Sequence, residues 1–348
     1  MERVSDINLE EKWNKTNPND VVRICNYYNK YMSMYSKDNI WHAIILPKLK
    51  KYLELFTLNK YEHANFILEN INKTNLMYGY DVLQNEFHNG ILIYYDEIES
   101  THKCIIKLLE EMEIKPVYTN NLLDIEENLL LMDEKCGFKI DFPEVFNYSK
   151  SATIASSRGK ISHRMMYALY YVWNIYRHTP DIKNASILEI GAGTGRTAYY
   201  AYKFGFNKYT IMDIISTNIV QAHYNFNIFG ANNVHLYGEE CTDSCFLTIM
   251  PSIVFETIKD NFDVVCNFDG LTEYGLNTAT MYFKKIAEIS TKFISINHIS
   301  TQHQLGKKYT VSDLYKDHNC KVLLKENCDY RSDTNHFFYV KEILEFYK

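Results

Sequence analysis

Apolar and polar positions follow two regimes along the chain. Before about residue 150 they recur at helical spacing. In 101–115, THKCIIKLLEEMEIK, the residues Ile105, Ile106, Leu108, Leu109 and Met112 share one face, and Pro116 ends the run. Residues 122–136 repeat the pattern, with Gly137 placed as a C-terminal cap. The stretches 20–35, 40–57 and 61–72 read as further helices, and Gly79 and Gly90 punctuate what lies between. From Phe142 to Gly159 the periodicity gives way to a Ser-rich stretch containing Pro143, which marks a boundary. Beyond it, HRMMYALYYVWNIYRH is a strongly amphipathic helix stopped at Thr179-Pro180. Short apolar runs then alternate with helical segments: SILEI at 186–190, YTIMDI at 209–214, NVHLY at 233–237, FDVVCNF at 262–268 and KFISINHI at 292–299. Such alternation specifies an α/β fold, a parallel sheet with helices on both faces. Two last runs, 320–326 and 336–342, have no helix between them and predict an antiparallel hairpin. The expected division is a mainly helical region over 1–150 and an α/β domain over 151–348.

The segment ILEIGAGTGRTAYYAYKFG, residues 187–205, carries the clearest chemistry. An apolar strand runs into Gly191, Ala192, Gly193 and Gly195, and a helix follows up to Gly205. Glycines there permit a tight turn and let a ligand lie against bare backbone at a helix N-terminus. A dinucleotide fingerprint needs Gly or Ala where Arg196 stands, so a nicotinamide-dependent oxidoreductase fits poorly. Glu189 is a carboxylate within an otherwise apolar strand end. Asp213, closing the next strand beside Ile214, occupies the place where α/β cofactor domains hold an acid that accepts from ribose hydroxyls. In FDVVCNFDGLTEYG the fourth strand opens into Asn267, Phe268, Asp269 and Glu273 at the crevice outside the strand ends, with Asn267 and Phe268 expected to bind the cofactor.

The strand pattern and the G-x-G-x-G loop resemble the Rossmann-like class I methyltransferases, which use S-adenosylmethionine. That resemblance implies roles for Glu189 near the cationic amino-acid end of the cofactor and for Glu239, after the third strand, beside the adenine. Asn267 to Glu273, Tyr282, and Ser295 to Asn297 further resemble the sugar O-methyltransferase family, as does the lead-in helix with His163, Arg164 and Tyr167. The likeness spans about residues 155–345; Gly270 stands where that family tends to have Ser, and Tyr274 where it tends to have Met. It implies methyl transfer to a hydroxyl of a nucleotide-linked or glycan sugar, as in polysaccharide biosynthesis. A sugar hydroxyl is a weak nucleophile, so a general base is expected. His298 is the first choice because imidazole titrates near neutrality, with Asp269 and Glu273 as rivals. Arg158, His163 and Arg164 are candidates for a phosphate or carboxylate on the acceptor. The helical region before residue 150 is expected to act as a lid or substrate-recognition element.

Composition narrows the field. The 43 acidic and 37 basic residues are spread along the chain for a net charge of −6, without the basic footprint nucleic acid requires. No apolar run approaches the ~18–20 residues that span a bilayer, and the charged opening MERVSDINLEEKW is unlike a signal peptide. A cytoplasmic protein with a small-molecule partner is the expectation; nothing bears on its oligomeric state. The eight cysteines read as free thiols, and Cys241 with Cys245 lacks the partners of a zinc site. Asp269, Glu273 and His298 offer hard ligands, but no spacing identifies a metal site. A methyltransferase with an amine or phenol acceptor, and a non-catalytic cofactor-binding protein of the same fold, remain open alternatives.

Overall fold

The structure, a computed structural model, describes residues 17–32, 46–71, 76, 90–143, 153–240, 245–299, 308–332 and 338–347, with the backbone alone at 46–48 and 90–97. The ends of several expected elements, Gly79, Cys241, and part of the boundary stretch lie outside the described residues.

The N-terminal region is helical: α1 (Pro18–Met32), α2 (Leu46–Thr57), α3 (Tyr61–Glu69), α4 (Gly90–Glu111) and α5 (Ile125–Cys136). A two-stranded turn, β1 (Tyr118–Thr119) with β2 (Leu122–Leu123), precedes α5. Asp124 starts α5 by accepting from the Glu127 N–H, and Gly137 ends it in the left-handed conformation. The boundary stretch contains a hairpin, β3 (Ile154–Ser156) and β4 (Gly159–Ile161), before α6 (His163–Arg177), which Ser162 caps.

The α/β region runs β5 (Ser186–Ile190), α7 (Arg196–Phe204), β6 (Lys208–Asp213), α8 (Ile215–Phe229), β7 (Val234–Leu236), β8 (Leu247–Pro251), β9 (Phe262–Phe268), α9 (Leu276–Ile289) and β10 (Ser290–His298). It ends in α10 (Val311–Tyr315), β11 (Cys320–Asn327), α11 (Asp329–Ser332) and β12 (Tyr339–Phe346). The eight-stranded sheet has the order β11-β12-β10-β9-β5-β6-β8-β7, with β12 antiparallel to both neighbours. This is the expected Rossmann-like α/β sheet with an antiparallel C-terminal hairpin. The central strands are buried nearly throughout, because helices cover both faces, and this is why they read as continuous apolar runs. The edge strand β11 is largely exposed and carries Lys321, Lys325 and Glu326, which discourage pairing with another edge.

Two features depart from the sequence reading. An extra strand, β8, lies parallel between β6 and β7, so the third expected strand is displaced one place outward. The hairpin connection also contains a helical turn, α11, and β12 starts at Tyr339 rather than 336. A single buried core runs from Val21 of α1 to Phe346 of β12, so the N-terminal helices share it with the sheet. The helix α1 packs on α8, and α4 packs on α6, where the Lys341 ammonium of β12 reaches the Glu111 carboxylate at 2.8 Å. Among the described residues no helix is long and apolar enough to cross a membrane.

Candidate active site

The carboxyl ends of the adjacent parallel strands β10, β9, β5 and β6 lie along one edge of the sheet, with the glycine loop following β5. Gly191, Gly193 and Gly195 all have positive φ. A β-carbon on Gly195 would lie 3.0 Å from the Asn225 amide, so close packing against α8 requires glycine there. Gly193 differs: with φ +56° it bares its backbone to a space in which a β-carbon would meet nothing within 4 Å. Its N–H donates to Asp213 Oδ2 at 2.9 Å, and its carbonyl accepts from Gln221 Nε2 at 2.6 Å. The loop is thus held open by partners below it. The other Asp213 oxygen accepts from the Ile214 N–H at 2.8 Å. Burial pushes the Asp213 carboxyl up to about 7, against these two N–H donors, which favour the ionised form. Ala192 is half-buried and packs on the core between the glycines.

Asn267 braces the loop from β9. Its amide donates to the Ile190 carbonyl at 2.8 Å, and its oxygen accepts from the Leu271 N–H at 2.7 Å. A β-carbon at Gly270 would come within 2.9 Å of that amide, which favours glycine at this position. Glu189 is buried at 3% exposure, and its Oε2 accepts from the Tyr209 hydroxyl at 3.1 Å. Desolvation raises its pKa to about 8.

Glu239 does not join the cradle. With β8 inserted, it sits at the far edge of the sheet, where both its oxygens are engaged at 2.6 Å by Arg23 of α1. Burial works to raise its pKa, but Arg23 and the Leu236 N–H hold it below the usual value. The residues that follow β8, not those that follow β7, are therefore the neighbours of β6 and Asp213. Arg158 is also accounted for elsewhere: its side chain is 4% exposed and binds Asp133 of α5 at 2.7 Å, so its role is to tie the β3–β4 hairpin to α5 rather than to meet an acceptor.

The opposite wall is aromatic and charged. Asp269 follows β9 with φ +67°, a strained conformation for a residue with a β-carbon. Its Oδ2 is bound by Arg331 of α11 at 2.5 Å and by the Tyr171 hydroxyl at 3.2 Å, while Oδ1 is buried without a hydrogen-bond partner. Arg331 lies over the Tyr167 ring at 3.8 Å and the Tyr339 ring at 4.6 Å, and donates to the Tyr339 hydroxyl at 2.9 Å. Burial disfavours the guanidinium charge, but Asp269 and the three tyrosines outweigh it and hold Arg331 protonated. Tyr171 stacks on Phe268 with ring centroids 4.1 Å apart.

His298 ends β10 opposite Tyr339, whose ring meets it edge-on at 5.6 Å. Its Nδ1 lies 2.7 Å from the Ile299 carbonyl, which only accepts. In the neutral ring Nδ1 therefore carries the proton and Nε2 the lone pair. Glu273 is half-buried in the turn after β9, and its charge raises the pKa of Tyr309 behind burial. His163, first residue of α6, meets Tyr167 edge-on at 5.4 Å, and Arg164 follows it. Tyr171, Arg331 and Tyr339 were not anticipated. Nothing in the spacing of a lone arginine between two strands signals that it will face a strand end far away in sequence. Among the described residues no three His, Cys, Asp or Glu side chains gather as a metal site.

No family profile matches the sequence, and no curated protein matches it. Solved structures of similar layout include magnesium protoporphyrin IX methyltransferase from Synechocystis with bound SAM, at 11% identity over 53% of this chain and 80% of that one, TM-score 0.39. Others are the mitomycin 7-O-methyltransferase, at 14% identity over 53% of this chain and 57% of that one, TM-score 0.37, and a glycopeptide N-methyltransferase complexed with sinefungin, at 12% over 51% and 93%, TM-score 0.37. Likenesses this distant carry no argument about activity, so the chemistry has to come from this chain's own residues.

Proposed function

We propose that this chain is an S-adenosylmethionine-dependent methyltransferase acting on a hydroxyl of a sugar, either nucleotide-linked or part of a glycan. The observation that carries the reading is the open backbone at Gly193 beside the Asp213 carboxylate, a cradle suited to a ligand with a ribose diol. In it Asp213 accepts from the ribose hydroxyls, Gly191 to Gly195 admit the ligand against bare backbone, and Asn267 keeps the loop in place. When bound, the cofactor would supply an electrophilic methyl on a sulfonium sulfur able to leave with the C–S electron pair.

On the other wall, His298 presents the Nε2 lone pair to the acceptor hydroxyl and takes its proton as the oxygen forms its bond to the methyl carbon. Asp269, held in place by Arg331, offers Oδ1 as an acceptor that orients the sugar before transfer. Phe268 and Tyr171, stacked on each other, close this part of the crevice against water. The test is incubation of the protein with methyl-labelled S-adenosylmethionine and a panel of nucleotide-linked and free sugars. Label should pass to at least one sugar; transfer only to amines or phenols would replace the acceptor assignment.

A further inference from the structure

Charged residues from three separate elements act on His163. His163 opens α6 and Arg164 follows it, Arg196 opens α7, and Arg331 comes from α11. Tyr167 links them, its ring 5.4 Å from His163 and 3.8 Å from the Arg331 guanidinium. The His163 Nδ1 atom is buried and has no hydrogen-bond partner. A buried polar nitrogen left in that state is costly, and among cations its natural complement is an oxygen bearing negative charge. Burial, and after it the charges of Arg164, Arg331 and Arg196, hold the imidazole neutral, well below its ordinary titration range. Three guanidiniums therefore act on one uncharged ring, at the N-terminus of a fifteen-residue helix whose dipole adds to their field.

We infer that His163, Arg164, Arg196 and Arg331 form a pocket for an anionic group of the acceptor, a phosphate or a carboxylate. This rests on the methyl-transfer reading and narrows its substrate to a phosphorylated, nucleotide-linked or acidic sugar, with neutral sugars excluded. Guanidinium forks match the paired oxygens of either anion, and the aromatic walls lower the local dielectric and strengthen the contact. Arg331 fixes the inner limit of the pocket, because its Asp269 partner lies at the mouth of β9 where the reacting hydroxyl is oriented. Charge recognition and chemistry then sit at the two ends of one side chain pair.

The test is calorimetric titration of the full chain with inorganic pyrophosphate, a nucleoside diphosphate, glucuronate and glucose, with S-adenosylhomocysteine titrated into the same samples. Arg331 is buried and ion-paired, so its removal reports on folding as well as binding; the half-buried Arg164 and Arg196 are the residues to change. At least one anion should bind more tightly than glucose by about tenfold, and Arg164→Gln and Arg196→Gln should each weaken it by about tenfold, the scale of one charge-assisted hydrogen bond. Binding of pyrophosphate and the nucleoside diphosphate assigns the pocket to phosphate, and binding of glucuronate alone assigns it to a carboxylate. If neither anion binds, or the variants bind as the wild type does, the inference falls. Failure of S-adenosylhomocysteine to bind would instead strike at the methyl-transfer reading.

Discussion

Replacing Glu189 by Gln removes a buried titratable group while keeping its shape and an oxygen for the Tyr209 hydroxyl. Glu189 lies in β5 between β6 and β9, at 3% exposure, and its pKa rises from 4.5 to about 8 through burial. A carboxyl whose folded pKa exceeds its unfolded value binds a proton more tightly when folded. Its contribution to stability is therefore full below pH 4.5 and is lost as pH rises through about 8. At about 1.4 kcal/mol for each tenfold change in proton affinity, the interval bounds the loss at about 5 kcal/mol. The repulsion from Asp213, which adds to the shift, acts on the Glu189 carboxylate of the wild type alone and so forms part of the measured difference. Urea unfolding followed by circular dichroism at pH 5, 7 and 8.5 measures it. The wild type should lose stability relative to Glu189→Gln by a few kcal/mol across that range, on the scale of burying a charge without a counterion. Two parallel profiles, differing by a constant at all three pH values, would show that Glu189 is not held protonated by burial.

Asp213→Ala should weaken S-adenosylhomocysteine binding by about 1–3 kcal/mol, the range for hydrogen bonds to a charged acceptor. Because the Asp213 carboxyl is pushed up to about 7 and only its ionised form accepts from two hydroxyls, wild-type affinity should rise with pH up to that point and level off above it, whereas the variant should be flat. Arg23→Met should destabilise the chain by about 1–3 kcal/mol in urea unfolding, since one partly exposed guanidinium holds Glu239 and the carbonyls of Ala231 and Val234. Values below a few tenths would mean that α1 does not depend on this pair. His298→Ala should keep cofactor affinity and lose about 10²–10⁴-fold in turnover, the usual contribution of a positioned base. Turnover within a few-fold of wild type would return the role to Asp269 or Glu273.

The sheet was legible because its central strands are covered on both faces and so read as unbroken apolar runs ending in glycine or acid. FDVVCNF marks β9 to the residue. The strand β8 was not legible: alternation of strand and helix gives no sign of two successive parallel strands, and among the described residues no helix separates LTIMP from β7. That omission placed the strand before Glu239 next to β6, one position nearer the centre of the sheet than it lies. The turn α11 is too short for hydrophobic periodicity to register, which hid Arg331. The charged helix start at His163 and Arg164 was visible, but Arg158 beside it looked the same until its ion pair with Asp133, 25 residues earlier, was seen. Local pattern shows which residues are polar where apolar ones belong; only tertiary pairing shows which of them are already satisfied.

The most direct measurement is calorimetric titration of S-adenosylhomocysteine into the wild type and Gly193→Val. The Val side chain would fill the space above the loop, where a β-carbon now meets nothing within 4 Å, and its cost to the fold is confined to one strained loop residue. Saturable binding to the wild type should be lost in the variant while the circular dichroism spectrum stays unchanged. Equal affinity for both proteins, or no binding to the wild type, would contradict the assignment of this cradle to the cofactor.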